Sequence, residues 1–123
     1  MPKVWVGNLG GHDVSGAGKF GEVIILTRGT IPIFNTERLW FQIRKRLADA
    51  SGDDYILLTG PQILSSLLVA YFMYRFGKAN VLLYNAKTGS YVPRTLVADH
   101  LFGTNVLRWW NDWVKGNEKV TNG

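Results

Sequence analysis

Apolar positions along the chain fall into short runs of strand length separated by two longer segments of helical period. Lys3-Val4-Trp5-Val6 predicts a first strand, and Glu22-Val23-Ile24-Ile25-Leu26-Thr27, rich in β-branched residues, a second. Between them, residues 7–21 hold six glycines in fifteen positions, which predicts a loop able to take positive φ and to approach other groups closely. Arg28-Gly29-Thr30 reads as a turn and Ile31-Pro32-Ile33-Phe34 as a further extended arm. Pro32 has no N–H to give a ladder, so this arm is expected at a sheet edge. Asn35 or Thr36 then caps a helix with Glu37 in its first turn. Leu39, Trp40, Ile43 and Leu47 form its buried stripe, Arg38, Arg44, Lys45 and Arg46 face water, and Ser51-Gly52-Asp53-Asp54 ends it as a solvated loop.

Tyr55-Ile56-Leu57-Leu58 is a continuous apolar run, as in a central strand covered on both faces. Thr59 or Gly60 caps the next helix, with Pro61 in its first turn. That helix, residues 63–76, is apolar around nearly its whole circumference apart from Ser65 and Ser66, so part of its burial is expected from another subunit. Arg75-Phe76-Gly77-Lys78 carries a helix C-terminal signal. Val81–Asn85 follows as a strand, Ala86-Lys87-Thr88-Gly89 as a tight turn and Ser90-Tyr91-Val92 as a hairpin arm ended by Pro93. A helical turn is expected over 96–102 and a helix from about 105 to 115, with Val106, Leu107, Trp110, Trp113 and Val114 on its apolar stripe. The pattern predicts one α/β domain over 1–115 with a frayed tail at 116–123. Its fold class is Rossmann-like in two or three layers, a mixed sheet with a βαβ unit at 55–85 and a β-hairpin at 81–92.

At 123 residues the chain suits a single domain with an ordinary core. Absence of cysteine excludes disulfides, thiolate metal sites and thiol nucleophiles. Met1-Pro2-Lys3-Val4-Trp5 lacks a secretory pattern and the apolar window at 63–73 is too short to span a bilayer. A cytoplasmic protein that does not enter membranes is therefore expected. The net charge of +5 suits an anionic partner, although the basic residues are spread out except at Arg44-Lys45-Arg46.

Two places attract chemistry. The break after the strand at 55–58 sets a helix N-terminus, with unpaired N–H groups and partial positive charge, beside Thr59, Gly60, Gln62 and Ser65. Asn85 ends a neighbouring strand and is expected to reach the same crevice; the plain alternative is a tight turn and cap. The glycine-rich loop offers Asn8, Gly10, Gly11 and Ser15 as ligand contacts, His12 as a general base or metal ligand, and Asp13 as its orienter. The alternative for Asp13 is stabilising a turn. No three-ligand metal cluster is evident and no cofactor is required, although a divalent metal would suit a catalytic version. Gly16-Ala17-Gly18-Lys19-Phe20-Gly21-Glu22-Val23 matches GxGxxG and the kinase glycine loop. A strand follows where a dinucleotide fold needs a helix, and the other kinase motifs are missing. The tryptophans read as core or interface anchors, Asp99-His100 as helix surface, and Trp109 beside Arg108 as a weak stacking spot.

From Asp54-Tyr-Ile-Leu-Leu-Thr-Gly-Pro-Gln through Asn80-Val-Leu-Leu-Tyr-Asn-Ala-Lys-Thr-Gly-Ser-Tyr-Val, residues 54–92 resemble the small CRISPR-associated ring-nuclease proteins that bind and cut cyclic tetra-adenylate. The resemblance implies a cyclic oligonucleotide held between protomers and manganese-dependent hydrolysis, with Thr59 and Gly60 matching the phosphate-side turn. Ser65 and Ser66 stand where that family has a histidine, which favours sequestration over cutting. The expectation is a domain that binds a nucleotide, a cyclic oligonucleotide second messenger among the candidates, by sequestration or slow hydrolysis. The alternatives are a homo-oligomeric assembly module built on the 63–76 helix and tryptophans and, third, nonspecific nucleic-acid binding.

Overall fold

A computed structural model describes residues 1–10, 13–103 and 112–116. It is an α/β structure built on one five-stranded mixed sheet. In chain order the strands are β1 (Lys3–Asn8), β2 (Glu22–Thr27), β3 (Tyr55–Leu57), β4 (Lys78–Asn85) and β5 (Ser90–Val97). The helices are α1 (Thr36–Ile43), α2 (Gln62–Phe76) and α3 (Ala98–Phe102), with 3-10 segments at Ser15–Lys19 and Arg46–Asp49. Across the sheet the order is β2-β1-β3-β4-β5, parallel except for the antiparallel β4–β5 hairpin. Strand, helix and strand over 55–85 form the expected parallel βαβ unit.

Strand alternation divides the core. Trp5, Ile56, Ala79 and Val81 point to the face covered by α1 and α2, where they meet Leu39, Ile43, Leu64, Leu68 and Phe72. Val4, Val6, Leu57 and Leu82 point to the other face, which is covered mainly by Ala17 and Val14 at the 3-10 turn and by Phe20. Among the described residues one face is thus roofed by two helices and the other mainly by a short 3-10 turn. The capping predicted for α1 is present: the Asn35 side chain accepts from the Arg38 amide at 3.1 Å. Gly77 ends α2 in the left-handed region, φ 72°, and Gly89 does the same for the hairpin turn, φ 65°.

Several expectations are corrected. Residues 31–34 form no strand. The Asn35 amide donates to the Pro32 carbonyl in a turn instead, leaving β2 as that edge of the sheet. The Arg46 guanidinium covers this edge, donating to the Ile25 carbonyl at 2.6 Å. Pro93 does not end the hairpin arm: β5 runs through it to Val97, and the following helix begins only at Ala98. An edge strand tolerates a missing N–H, so the proline rule applies to Pro93 and not to Pro32. Strand β3 stops at Leu57, and the cap position of α2 falls on Pro61, one residue beyond Gly60, with no side chain capping it. α1 ends at Ile43 and passes into the 3-10 segment. Of the 105–115 helix, residues 112–116 are helical, with Trp113 half-exposed; Val106, Leu107, Arg108, Trp109 and Trp110, like most of the 116–123 tail, lie outside the described residues.

Asp54 is the largest correction, because it is not solvated but only 2% exposed. Its carboxylate accepts from the Lys3 amide at 3.0 Å, the Trp5 indole N–H at 2.9 Å and the Ser51 amide at 2.8 Å. One buried acid therefore ties the start of β1, the largest core side chain and the turn into β3. Replacing Asp54 with alanine strands these donors and should cost about 3 kcal/mol, since each buried unsatisfied group costs roughly 1–3 kcal/mol. Urea unfolding checks this, and a loss under about 0.5 kcal/mol contradicts the assignment.

Candidate functional site

The strand order reverses between β1 and β3, because β1 connects to a neighbour on one side and β3 to one on the other. In open α/β sheets, ligands collect at the carboxyl ends of strands flanking such a reversal. Two close approaches build this end. A Cβ on Gly7, in β1, would lie 2.6 Å from Leu64 Cγ, so the first turn of α2 sits directly on the β1 backbone. Gly60, at φ 82°, brings its Cα so near β1 that a Cβ there would stand 3.1 Å from the Asn8 carbonyl oxygen. Both positions need glycine, Gly60 for its backbone angle as well as for space. Together they bring the uncapped N-terminus of α2 to the end of β1.

Two hollows meet at Leu58 and Thr59. One is a polar cavity of about 560 Å³ on the thinly covered face, lined by Asp13, Ser15, Gly16, Tyr84, Gly89 and Tyr91 besides the shared pair. The other is an apolar groove of about 800 Å³ along the open side of α2, with Val69, Met73, Leu96 and Leu101 in its walls. Thr59 faces both. Gly60, Gln62 and Ser65 line the groove and not the cavity.

The expected site therefore separates into parts. Asp13, Ser15 and Thr59 come together in the cavity, as do Thr59, Gly60, Gln62 and Ser65 at the head of the groove. Asn8 is buried and its side-chain amide donates to the Gly29 carbonyl at 3.0 Å, so this side chain clamps the exit of β2. Asn85 accepts from the Lys87 amide at 3.0 Å and shapes the hairpin turn. Gly10 has φ 54° in the loop leaving β1. Gly11 and His12 lie outside the described residues. Among the described residues no three histidine, aspartate or glutamate side chains converge to hold a metal ion.

Tyr84 and Tyr91 were missed by the sequence reading. They pair across the hairpin with ring centroids 5.4 Å apart and line the cavity wall. Their signal was available: they stand symmetrically about the 86–89 turn, and residues so placed pair on one face of an antiparallel ladder. The Tyr91 hydroxyl donates to the Asp13 carbonyl at 3.4 Å, tying the loop to the hairpin. Its pKa is raised, first by burial and then by Tyr84 and the Asp13 charge, so it remains a neutral donor.

The turn role considered for Asp13 is present, while the orienting role involves His12, which lies outside the described residues. Its carboxylate accepts from the Ser15 amide at 2.9 Å, closing a turn, and it also lines the cavity. Hydrogen bonding from the Ser15 backbone and side chain holds its pKa below 3.8. Among the described residues none that lines the cavity is cationic, which suits hydroxyl or amino groups there better than a phosphate. A depressed folded-state pKa means the turn gains from ionised Asp13 above the unfolded value, and loses that gain as pH falls through the folded one. The Ser15 amide shift should consequently titrate with a midpoint below 3.8, and the Asp13→Asn variant should not titrate there. An NMR titration with a midpoint at or above 3.8 contradicts this.

Compared with known proteins, residues 4–97 match a family model described as phage Pam3 gp32-like protein. The match runs from the second residue of β1 to the last residue of β5, so it takes in the sheet except Lys3 and both hollows' shared residues. Among the curated proteins and solved structures compared, none matches the chain.

Proposed function

The chain belongs to the phage Pam3 gp32-like family, and we propose that it binds a nucleotide at the strand-end junction, in a Rossmann-like manner. The observation that carries this reading is the position of Thr59 between the polar cavity and the uncapped α2 N-terminus. A nucleotide has two unlike ends, and the junction offers two unlike surfaces. Its phosphate takes the free amides at the start of α2 with the Thr59 hydroxyl, where the helix supplies about half a positive charge. Its nucleoside takes the cavity, with Tyr84 and Tyr91 against the ring and Asp13 and Ser15 accepting from hydroxyls. A cyclic oligonucleotide repeats the same units, and sequestering one asks for no general base.

In a version that turns over, His12 is the base and the ionised Asp13 its orienter, because a carboxyl with a depressed pKa accepts hydrogen bonds well but takes up protons poorly. A second reading, assembly into homo-oligomers, draws on the apolar groove beside α2, where Leu58 and Leu101 are exposed.

A thermal-shift series with AMP, ATP and cyclic tetra-adenylate tests the proposal. A nucleotide at a hundredfold excess over its Kd should stabilise the protein by about 2.7 kcal/mol, several degrees in Tm. The Gly60→Glu variant should lose this response. No shift with any of the three, together with a stable oligomer by sizing, contradicts nucleotide binding and favours assembly.

A further inference from the structure

The net charge is not evenly placed. Arg28, Arg38, Arg44, Lys45 and Arg46 against the one acid Glu37 give residues 28–46 a balance of +4, most of the chain's +5. These residues centre on α1, which contributes nothing to either wall of the strand-end junction.

The same helix and the turn before it present aromatic rings to water. Phe41 lies two residues from both buried Leu39 and Ile43, roughly 200° around the axis, at the middle of the solvent side. It is 62% exposed. Arg38 and Lys45 fall at helical spacing beside it, and the Arg44 guanidinium lies 4.6 Å from its ring centroid. Phe34 precedes the capping Asn35, where an apolar residue commonly folds back onto the helix's fourth position, here Leu39. It does not fold back, and at 98% it is almost wholly exposed. An apolar ring at the centre of a basic face has no role in this core. Its surroundings match a platform on which unpaired bases stack while cations hold the backbone.

We infer that the exposed face of α1 and the turn before it, with Phe41 and Phe34 as stacking rings and Arg38, Arg44 and Lys45 as phosphate contacts, bind single-stranded nucleic acid. Duplex DNA keeps its bases stacked inside and offers this face phosphates alone, so it binds more weakly. An acidic protein segment answers the charges but does not require the rings.

Fluorescence anisotropy with the full chain and a labelled oligothymidylate about twenty nucleotides long provides the test. Binding should be tighter than to a duplex of equal length, with a log–log salt slope of about −2 for three phosphates on a single strand. Phe41→Ala and Phe34→Ala should each weaken it roughly tenfold, leaving the salt slope unchanged. Arg44→Ala should flatten the slope by about 0.7. Both phenylalanines lie outside the core, so circular dichroism should show the variants folded. The inference is overturned by absence of binding at about 50 mM salt, by equal affinity for duplex, by indifference to both phenylalanine substitutions, or by polyglutamate displacing the strand at equal charge.

Discussion

Everything at the strand-end junction depends on how closely α2 can lie against β1. Backbone and helix touch at Gly7, where Leu64 occupies the space of the missing side chain, and again at Gly60, which turns within reach of the Asn8 carbonyl. A side chain at Gly7 would meet Leu64 and press the start of α2 away from β1, and one at Gly60 would crowd the Asn8 carbonyl at a strained backbone angle. Close packing does not absorb such a displacement, since interiors transmit strain instead of yielding. Thr59 faces both hollows because these two glycines hold the turn where it is.

Uneven roofing of the sheet explains why one hollow is polar and the other apolar. Two helices bury Trp5, Ile56 and Val81 on one side, and the groove runs along the flank of the longer helix between Val69, Met73 and Leu96. Among the described residues the opposite side is covered by Val14, the Ser15–Lys19 turn, the Phe20 ring and Tyr91, packed against Val4, Val6 and Leu57. So thin a cover leaves room between the 3-10 turn and the β4–β5 hairpin, and the residues bordering that room are turn formers and tyrosines. At the far end of the sheet Asp54 does the reverse, drawing three donors into a closed, fully paired cluster. The asymmetry places rigidity at the amino ends of the strands and open space at their carboxyl ends.

Much of this was legible in the residues. Periodicity located the βαβ unit, the Asn35 cap and the left-handed glycines, because local chemistry decides them. Proline placement was not legible: Pro32 and Pro93 both signal an edge, and only the pairing of β4 with β5 tells which one lies in a strand. Asp54 looked solvated because its partners, Lys3 and Trp5, are some fifty positions away, and no local pattern announces a long-range acceptor. Charge at 38–46 reads as a solvated face from sequence, and the exposure of Phe41 within it and of Phe34 just before the helix emerges only once burial is known. Grouping Asn85 with the strand-end residues rested on strand adjacency alone; its side chain instead serves its own turn.

The most direct measurement is an amide chemical-shift titration of the isotope-labelled protein with AMP. The junction account predicts saturable shifts at Thr59, Gln62 and Ile63 together with Ser15 and Tyr91, with one common dissociation constant. Shifts confined to residues away from the carboxyl ends of β1 and β3, or none at saturating nucleotide, would contradict it.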